Sequence, residues 1–412
     1  MLDPLKKFYR AGRYAAFRAF AGVSGGALTR YSVRPITPPK AHCFFGYHNL
    51  NPWDRTGRYL LCLQAPFANR MPTADDQATV CVIDTAAGNA LTAIGQTTAW
   101  CWQQSCMLQW IIDGDEEFLL YNDRVDEILV TRICRRDGSL VRTLPKPTYA
   151  VSMDGKMAVS INFELLDRYA PGYGYAPATA PLHASENREG IWLMDCATGH
   201  SQLILSLNDL RNADPRPEFA TATHYVNHLQ FSPGGGRILF FHRWIKPPNL
   251  QTKTRVYTVS TAGSDLHCLY DHGIFSHYCW LDERRIMGTS GRPLGGLGYD
   301  IYEDRTGRAE AVGGGVLTED GHPSLSPTGR WVVTDTYQDR WRYRTLLIYD
   351  LRTNHRMDIG RFFVPNLYEG ALRCDLHPRW NRDGTRICFD SVHQGYRRLY
   401  VADVTPYGST VR

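Results

Sequence analysis

The stretch at 325–337, LSPTGRWVVTDTY, reads as an apolar residue, a Ser-Pro-x-Gly turn, a basic residue and then a β-branched and aromatic strand. The same unit recurs at 50–63 (LNPWDRTGRYLLCL), 110–123 (WIIDGDEEFLLYND), 151–162 (VSMDGKMAVSIN), 231–242 (FSPGGGRILFFH), 280–290 (WLDERRIMGTS) and 380–391 (WNRDGTRICFDS), which makes seven copies. Each is followed by a second unit, an apolar strand that runs into a polar turn. Its copies are VCVIDTAAG, ILVTRICRRDG, GIWLMDCATG, RVYTVSTAG, YDIYEDRTG, LLIYDLRT and RLYVADVT. One small sheet cannot bury both faces without neighbours, so an all-β repeat of about 40–60 residues implies a propeller. The fold class expected is all-β, a seven-bladed β-propeller over 36–412 with a helical extension over 1–35. The segment 39–47 (PKAHCFFGY) is expected to supply the missing strand of the last blade and close the ring.

Working outward, two stretches interrupt the even spacing. The first lies within blade three (FELLDRYAPGYGYAPATAPLHASENREG) and the second leads into blade four (SLNDLRNADPRPEFATATHYVN). Both are expected to be long loops without secondary structure, the first an aromatic-lined lid or a surface filler. The first 26 residues carry Lys6, Lys7, Arg10, Arg13 and Arg18 against Phe8, Ala15, Phe17 and Phe20. That pattern suits a basic amphipathic helix packed on the domain, with peripheral membrane contact or partner docking as alternatives. They lack the apolar run of a signal peptide, and the eleven scattered cysteines include no Cys-x-x-Cys. Both features point to a cytoplasmic, reducing location. A formal charge of +5 is too weak to argue for nucleic acid, but it suits an anionic small substrate.

Three residues before the leading position of the first unit, blades four to seven each carry a histidine: His228, His277, His322 and His377. In a propeller, equivalent positions of the innermost strands face one another around the axis. Imidazoles that converge there suit a divalent metal, and Asp375 shares a strand face with His377 and adds a carboxylate. Such a donor set favours Mn²⁺ or Zn²⁺ over a soft ion, with Ca²⁺ a further possibility. Trp102, Gln103, Gln104, Asn122, Asp123, Arg124, His242, Arg243, Trp244, Asp335, Tyr337 and Arg379 cluster at matching places. Aromatic faces that stack on sugars, with arginines that pair with carboxylates, fit an anionic oligosaccharide partner. Each residue alone would equally fit blade packing.

Through its repeated turns, FSHYCW, GHPSLSPTGR and DLHPRWNRDGTRICF, the chain resembles the oligogalacturonate lyase-like propellers, related in architecture to the TolB-type propellers. The resemblance implies a propeller-centre Mn²⁺ and β-elimination across a uronic-acid glycoside. By it, His322 and His377, with Asp375, would be metal ligands, His277 the base and Arg243 the residue that helps neutralise charge. His228, Trp102, Gln103, Gln104, Arg124, Tyr337 and Arg379 would then contact substrate. The family pattern has a further His where this chain has Asp375 and a Gln where it has Leu372. Two alternatives stand beside the lyase: a non-catalytic propeller that binds glycan or protein, and a glycoside hydrolase. The hydrolase needs two carboxylates, for which Asp335, Asp375 and Asp390 are candidates.

Overall fold

The structure is a computed structural model that describes residues 26–178, 185–246, 252–291 and 296–404. The basic N-terminal helix expected from the sequence lies outside these residues up to residue 25. Seven antiparallel sheets follow one another in chain order. The strands of each blade run in sequence order from the axis outward, except for the N-terminal strands added at the outer edges of blades six and seven. Blades one to three are built from His42–Phe44 through Ala90–Thr97, Gln109–Asp113 through Leu140–Leu144, and Ala150–Val151 through Ser201–Ser206. Blades four and five run from Thr223–Phe231 through His267–Gly273 and from Phe275–Trp280 through Arg308–Val312. Blade six runs from Ser324–Leu325 to His355–Phe363, and blade seven from Arg379–Trp380 to Arg398–Asp403.

The recurring first unit is the hairpin between each blade's first two strands. In blade six the Ser326 N–H donates to Trp331 O, and the Ser326 hydroxyl accepts from the Trp331 N–H at 3.1 Å. Ser152, Ser232, Asp54 and Asn381 cap their own turns in the same way. The glycine of this turn is left-handed, with φ between 68° and 76° in five blades. A glycine is favoured there because a Cβ would clash with the backbone.

Ring closure differs from expectation by several residues. Val33–Pro35, not 39–47, adds the outermost strand to blade seven, with Val33 opposite Ala402 and Pro35 opposite Tyr400. Proline is tolerated there because an edge strand leaves its outer donors unused. Ala27–Thr29 adds a fifth strand to blade six, so part of 26–35 belongs to the propeller sheets. His42–Phe44 is instead the innermost strand of blade one, where Cys43 and Phe44 are fully buried. Both inserts also hold helices the sequence reading missed. Phe163–Tyr169 is N-capped by Asn162, and Leu207–Ala213 opens on a Ser206–Asp209 capping box.

The apolar core is a set of clusters between blades. Met287, Tyr299, Val332 and Tyr349 join blades five and six, while Val333, Ile348, Phe389 and Tyr400 join six and seven. Burial therefore stabilises neighbouring pairs of blades and leaves the axis to polar groups.

Candidate metal centre and active site

All four register histidines reach the axis, and local backbone irregularity aims three of them there. His228 lies in a bulge between Asn227 and Gln230 and adopts φ 54°; His277 lies in a second bulge, between Phe275 and Tyr278; His377 adopts φ 43°. Left-handed backbone at a non-glycine costs on the order of 1–3 kcal/mol and persists where the surroundings hold it. At His228 they do, because Tyr149 OH accepts from its N–H at 2.9 Å and Tyr278 OH donates to its carbonyl at 2.5 Å. The rings of His277 and His322 lie 4.0 Å apart, and those of His322 and His377 4.4 Å.

Two of these rings could serve as metal ligands. His322 Nδ1 lies 2.7 Å from Asp335 Oδ1, and His377 Nδ1 lies 2.8 Å from Gly46 O. Both partners only accept, so each Nδ1 carries the proton and each Nε2 keeps its lone pair. Both Nε2 atoms are buried without a hydrogen-bond partner. The ligand atoms of His322, Asp375 and His377 all lie within 4.8 Å of one another. Two imidazole nitrogens and a carboxylate that converge on one point fit a divalent cation.

Asp335 organises this set, and the sequence pointed to it only as one of several polar residues and as a candidate carboxylate for hydrolysis. Its Oδ1 also accepts from the His322 N–H at 2.8 Å. Its Oδ2 accepts from the N–H groups of Leu376 and His377 at 3.0 and 3.3 Å. One buried carboxylate therefore fixes both ligand-bearing segments. Asp375 is held by Arg344 Nη1 at 2.6 Å and Arg373 Nε at 2.7 Å. Burial opposes its ionisation, but the two guanidiniums outweigh burial and keep its carboxyl well below the usual range.

His277 has its own carboxylate partner, Asp320, which sequence reasoning missed because the contact spans 43 residues. The His277 Nδ1 to Asp320 Oδ1 distance is 3.1 Å, and Ser276 Oγ donates to the other oxygen at 2.6 Å. The acidic partner places the proton on Nδ1 and leaves Nε2 as a base. Burial, then the neighbouring His322, pushes the His277 pKa below its ordinary value, with Asp320 pulling the other way. Burial likewise holds His48, His228 and His377 well below theirs.

His48 and Tyr47 complete the centre. The His48 ring lies 5.3 Å from His322 and 5.8 Å from His277, and its Nδ1 faces Pro323 O at 3.0 Å. Tyr47 stacks on His228 at 5.0 Å and meets His377 edge-on at 5.1 Å. Arg243 adds a guanidinium whose Nε is buried without a hydrogen-bond partner and which depresses the His228 pKa further. Among the described residues no carboxylate forms an ion pair with it. The insert in blade three brings Tyr173 to 5.5 Å from His228, where its hydroxyl accepts from Arg373 at 2.5 Å.

A cavity of about 520 Å³ opens beside this cluster, lined by Tyr337, Arg340, Trp341, Arg344, Tyr368 and Arg373 among others. Of the residues expected to contact substrate, Tyr337 lines it and lies 6.2 Å from His277, while His228 stands in the histidine cluster. The structure gives the rest other partners. Trp102 packs on Trp100 and Phe44 under Arg397. Gln103 ties to the carbonyls of Ala371 and Arg373, and Gln104 donates to Tyr149 OH. Arg124 pairs with Glu164 and Ala176 O, which braces the insert. Arg379 is fully buried against Asp390 and the carbonyls of Gly46 and Tyr47. Each of these holds a segment that carries the site and does not face the cavity. His242 and Trp244 lie apart from the centre, against His224 and Phe219.

No protein-family model and no curated protein matches the chain. Among solved structures it is similar to an oligogalacturonate lyase in complex with manganese, with TM-score 0.67 and 16% identity over 94% of this chain and 96% of that one. It is also similar to an oligogalacturonate lyase from Vibrio parahaemolyticus, with TM-score 0.64 and 15% identity over 93% and 99%. A puromycin-hydrolyzing peptidase from Mycobacterium tuberculosis matches at TM-score 0.52 and 15% identity over 93% of this chain and 55% of that one. The chain is a seven-bladed β-propeller that resembles the oligogalacturonate lyases along almost its whole length.

Proposed function

We propose that the protein is a metal-dependent lyase that cleaves an acidic oligosaccharide by β-elimination at a uronate. The carrying observation is the juxtaposition of two buried imidazoles with unpaired Nε2 atoms, an arginine-held carboxylate and an Asp320-oriented histidine 4.0 Å ring to ring from one of them.

His322, His377 and Asp375 would hold a divalent ion. The ion would supply positive charge against the substrate carboxylate and so acidify the proton at C5. Manganese is the first choice, because it accepts mixed nitrogen and oxygen ligands and the similar lyase binds it. His277 Nε2 then takes the C5 proton, and Asp320 stabilises the imidazolium that forms. The C5–H electron pair becomes the C4–C5 double bond, and the C4–O bond breaks. The leaving oxygen takes its proton from solvent. Arg243, whose charge acts on His228 and Tyr47 of the same cluster, would offer a guanidinium to the second carboxylate oxygen.

The same geometry argues against hydrolysis, which needs two uncommitted carboxyls flanking the bond. Asp335 accepts four hydrogen bonds, Asp375 is held by two arginines, and Asp390 is held by Arg379 and the Phe45 N–H.

The test is a panel of uronate oligosaccharides, galacturonate chains included, incubated with protein and Mn²⁺ while ultraviolet absorbance from the new double bond is followed. Absorbance should rise with the wild type and stay flat with His277→Ala. Binding without absorbance change on any member would support the non-catalytic glycan-binding reading instead. New reducing ends without the double bond would support hydrolysis.

A further inference from the structure

The cavity meets the histidine cluster through Tyr337, 6.2 Å ring to ring from His277, and one of its walls is a hairpin in blade six that the mechanism does not use. Between Asp335 and Tyr343 the chain reads TYQDRWR, and Trp341 stands 43% exposed at the rim. Arg340 lies over the Trp341 ring at 5.1 Å.

This hairpin is built before any ligand arrives. Asp339 Oδ1 accepts from the N–H groups of Trp341 and Tyr343 at 2.8 and 3.0 Å, and Arg361 donates to its other oxygen. Arg342 takes a left-handed φ of 69° and is anchored to Val364 O at 2.7 Å, to Pro365 O and to Glu369. Gln338 also lines the cavity, and its Oε1 is buried with no hydrogen-bond partner, so an acceptor waits there for a donor.

Across the floor, Arg344 and Arg373 reach Asp375 of the candidate metal centre. The lining thus carries four arginines against two carboxylates, Asp339 and Glu369. A volume of about 520 Å³ lies within the roughly 300–1,000 Å³ that holds a drug-sized ligand, which leaves room for more than one sugar ring.

We infer that the Tyr337–Tyr343 hairpin forms an outer subsite for a further acidic sugar of the chain, with its ring stacked on Trp341 and its carboxylate facing Arg340. Gln338 Oε1 accepts from one of its hydroxyls. The inference rests on the lyase reading and adds a length preference to it: oligomers that span both sites bind more tightly than those that fill the inner site alone. An aromatic platform pre-set in shape loses little entropy on binding.

The experiment measures calorimetric affinities of galacturonate oligomers of one to four residues in the presence of Mn²⁺, with His277→Ala in every chain so that nothing turns over. Affinity should rise about tenfold once an oligomer is long enough to reach Trp341. Trp341→Ala and Arg340→Gln should each remove most of that rise and leave the shortest binding oligomer and Mn²⁺ affinity unchanged. Trp341→Phe should restore it, which separates stacking from a folding defect. The subsite is overturned if affinity does not grow with length, or if Trp341→Ala weakens every length equally or none. No binding at any length would overturn the subsite together with the lyase reading. Length-independent binding, in contrast, would sink the subsite alone.

Discussion

Replacing Asp335 with Asn changes one atom and probes the scaffold of the whole centre. The carboxylate accepts from His322 N–H, His322 Nδ1–H, Leu376 N–H and His377 N–H over 2.7–3.3 Å. An amide can accept through one oxygen only. If that oxygen stays with His322, its NH₂ faces two N–H donors and leaves them unsatisfied, at about 1–3 kcal/mol each. If the amide flips, NH₂ faces His322 Nδ1. The ring must then move its proton to Nε2, which removes the lone pair a metal needs. Either arrangement costs roughly 2–4 kcal/mol of stability, since the losses are not additive. Metal affinity should fall about 10- to 100-fold, as is usual when a ligand's orienting partner is lost. Urea unfolding and a Mn²⁺ titration by calorimetry read the two effects. An Asn variant with wild-type unfolding and wild-type affinity would refute the role assigned to Asp335.

Three further outcomes follow from other contacts. Burial lowers the His224 pKa to about 4, and burial also holds its neighbour His242 well below the usual value, whereas the unfolded imidazole titrates near 6.5. The unfolded chain therefore binds more protons below 6.5, so stability should be constant above about 6.5 and fall as pH drops toward 4. A urea midpoint that holds level or rises across that window would contradict this. A Cβ at Gly321 would lie 1.8 Å from Asp335 O, whereas one at Gly236 meets nothing within 4 Å. Gly321→Ala should cost about 1–3 kcal/mol and weaken Mn²⁺ binding, with Gly236→Ala close to neutral in both measurements. Tyr173→Phe removes the acceptor for Arg373 and should lower unfolding free energy by about 1 kcal/mol. Mn²⁺ binding should be unchanged, because Asp375 keeps both guanidiniums.

The blades were legible because their signal is local: a capping Ser, Asn or Asp, a left-handed glycine and a strand, all within about a dozen residues. The histidine register was legible for the same reason, since each His stands at a fixed offset from its turn. Ring closure was harder, because Val33–Pro35 is a three-residue edge strand whose partner lies at the other end of the chain. The helix at 207–213 did announce itself through Ser206 and Asp209, a signal that the loop reading passed over. His48 lies two residues after Gly46, which adopts φ 124°, and sits outside the register of the other four, so nothing in its own neighbourhood marks it. Arg379 and Gln103 resembled ligand-binding residues. Among their acceptors, Gly46 O and Arg373 O are 333 and 270 positions away, beyond the reach of any local pattern.

The proposed lyase would hold one divalent ion on His322, His377 and Asp375. Titrating the purified protein with Mn²⁺ and following the free ion by electron paramagnetic resonance tests it most directly. Saturable uptake of about one ion per chain is expected, weakened at least tenfold in both His322→Ala and His377→Ala while each variant still unfolds cooperatively. Absence of saturable uptake by the wild type, or equal uptake by the folded variants, would contradict it.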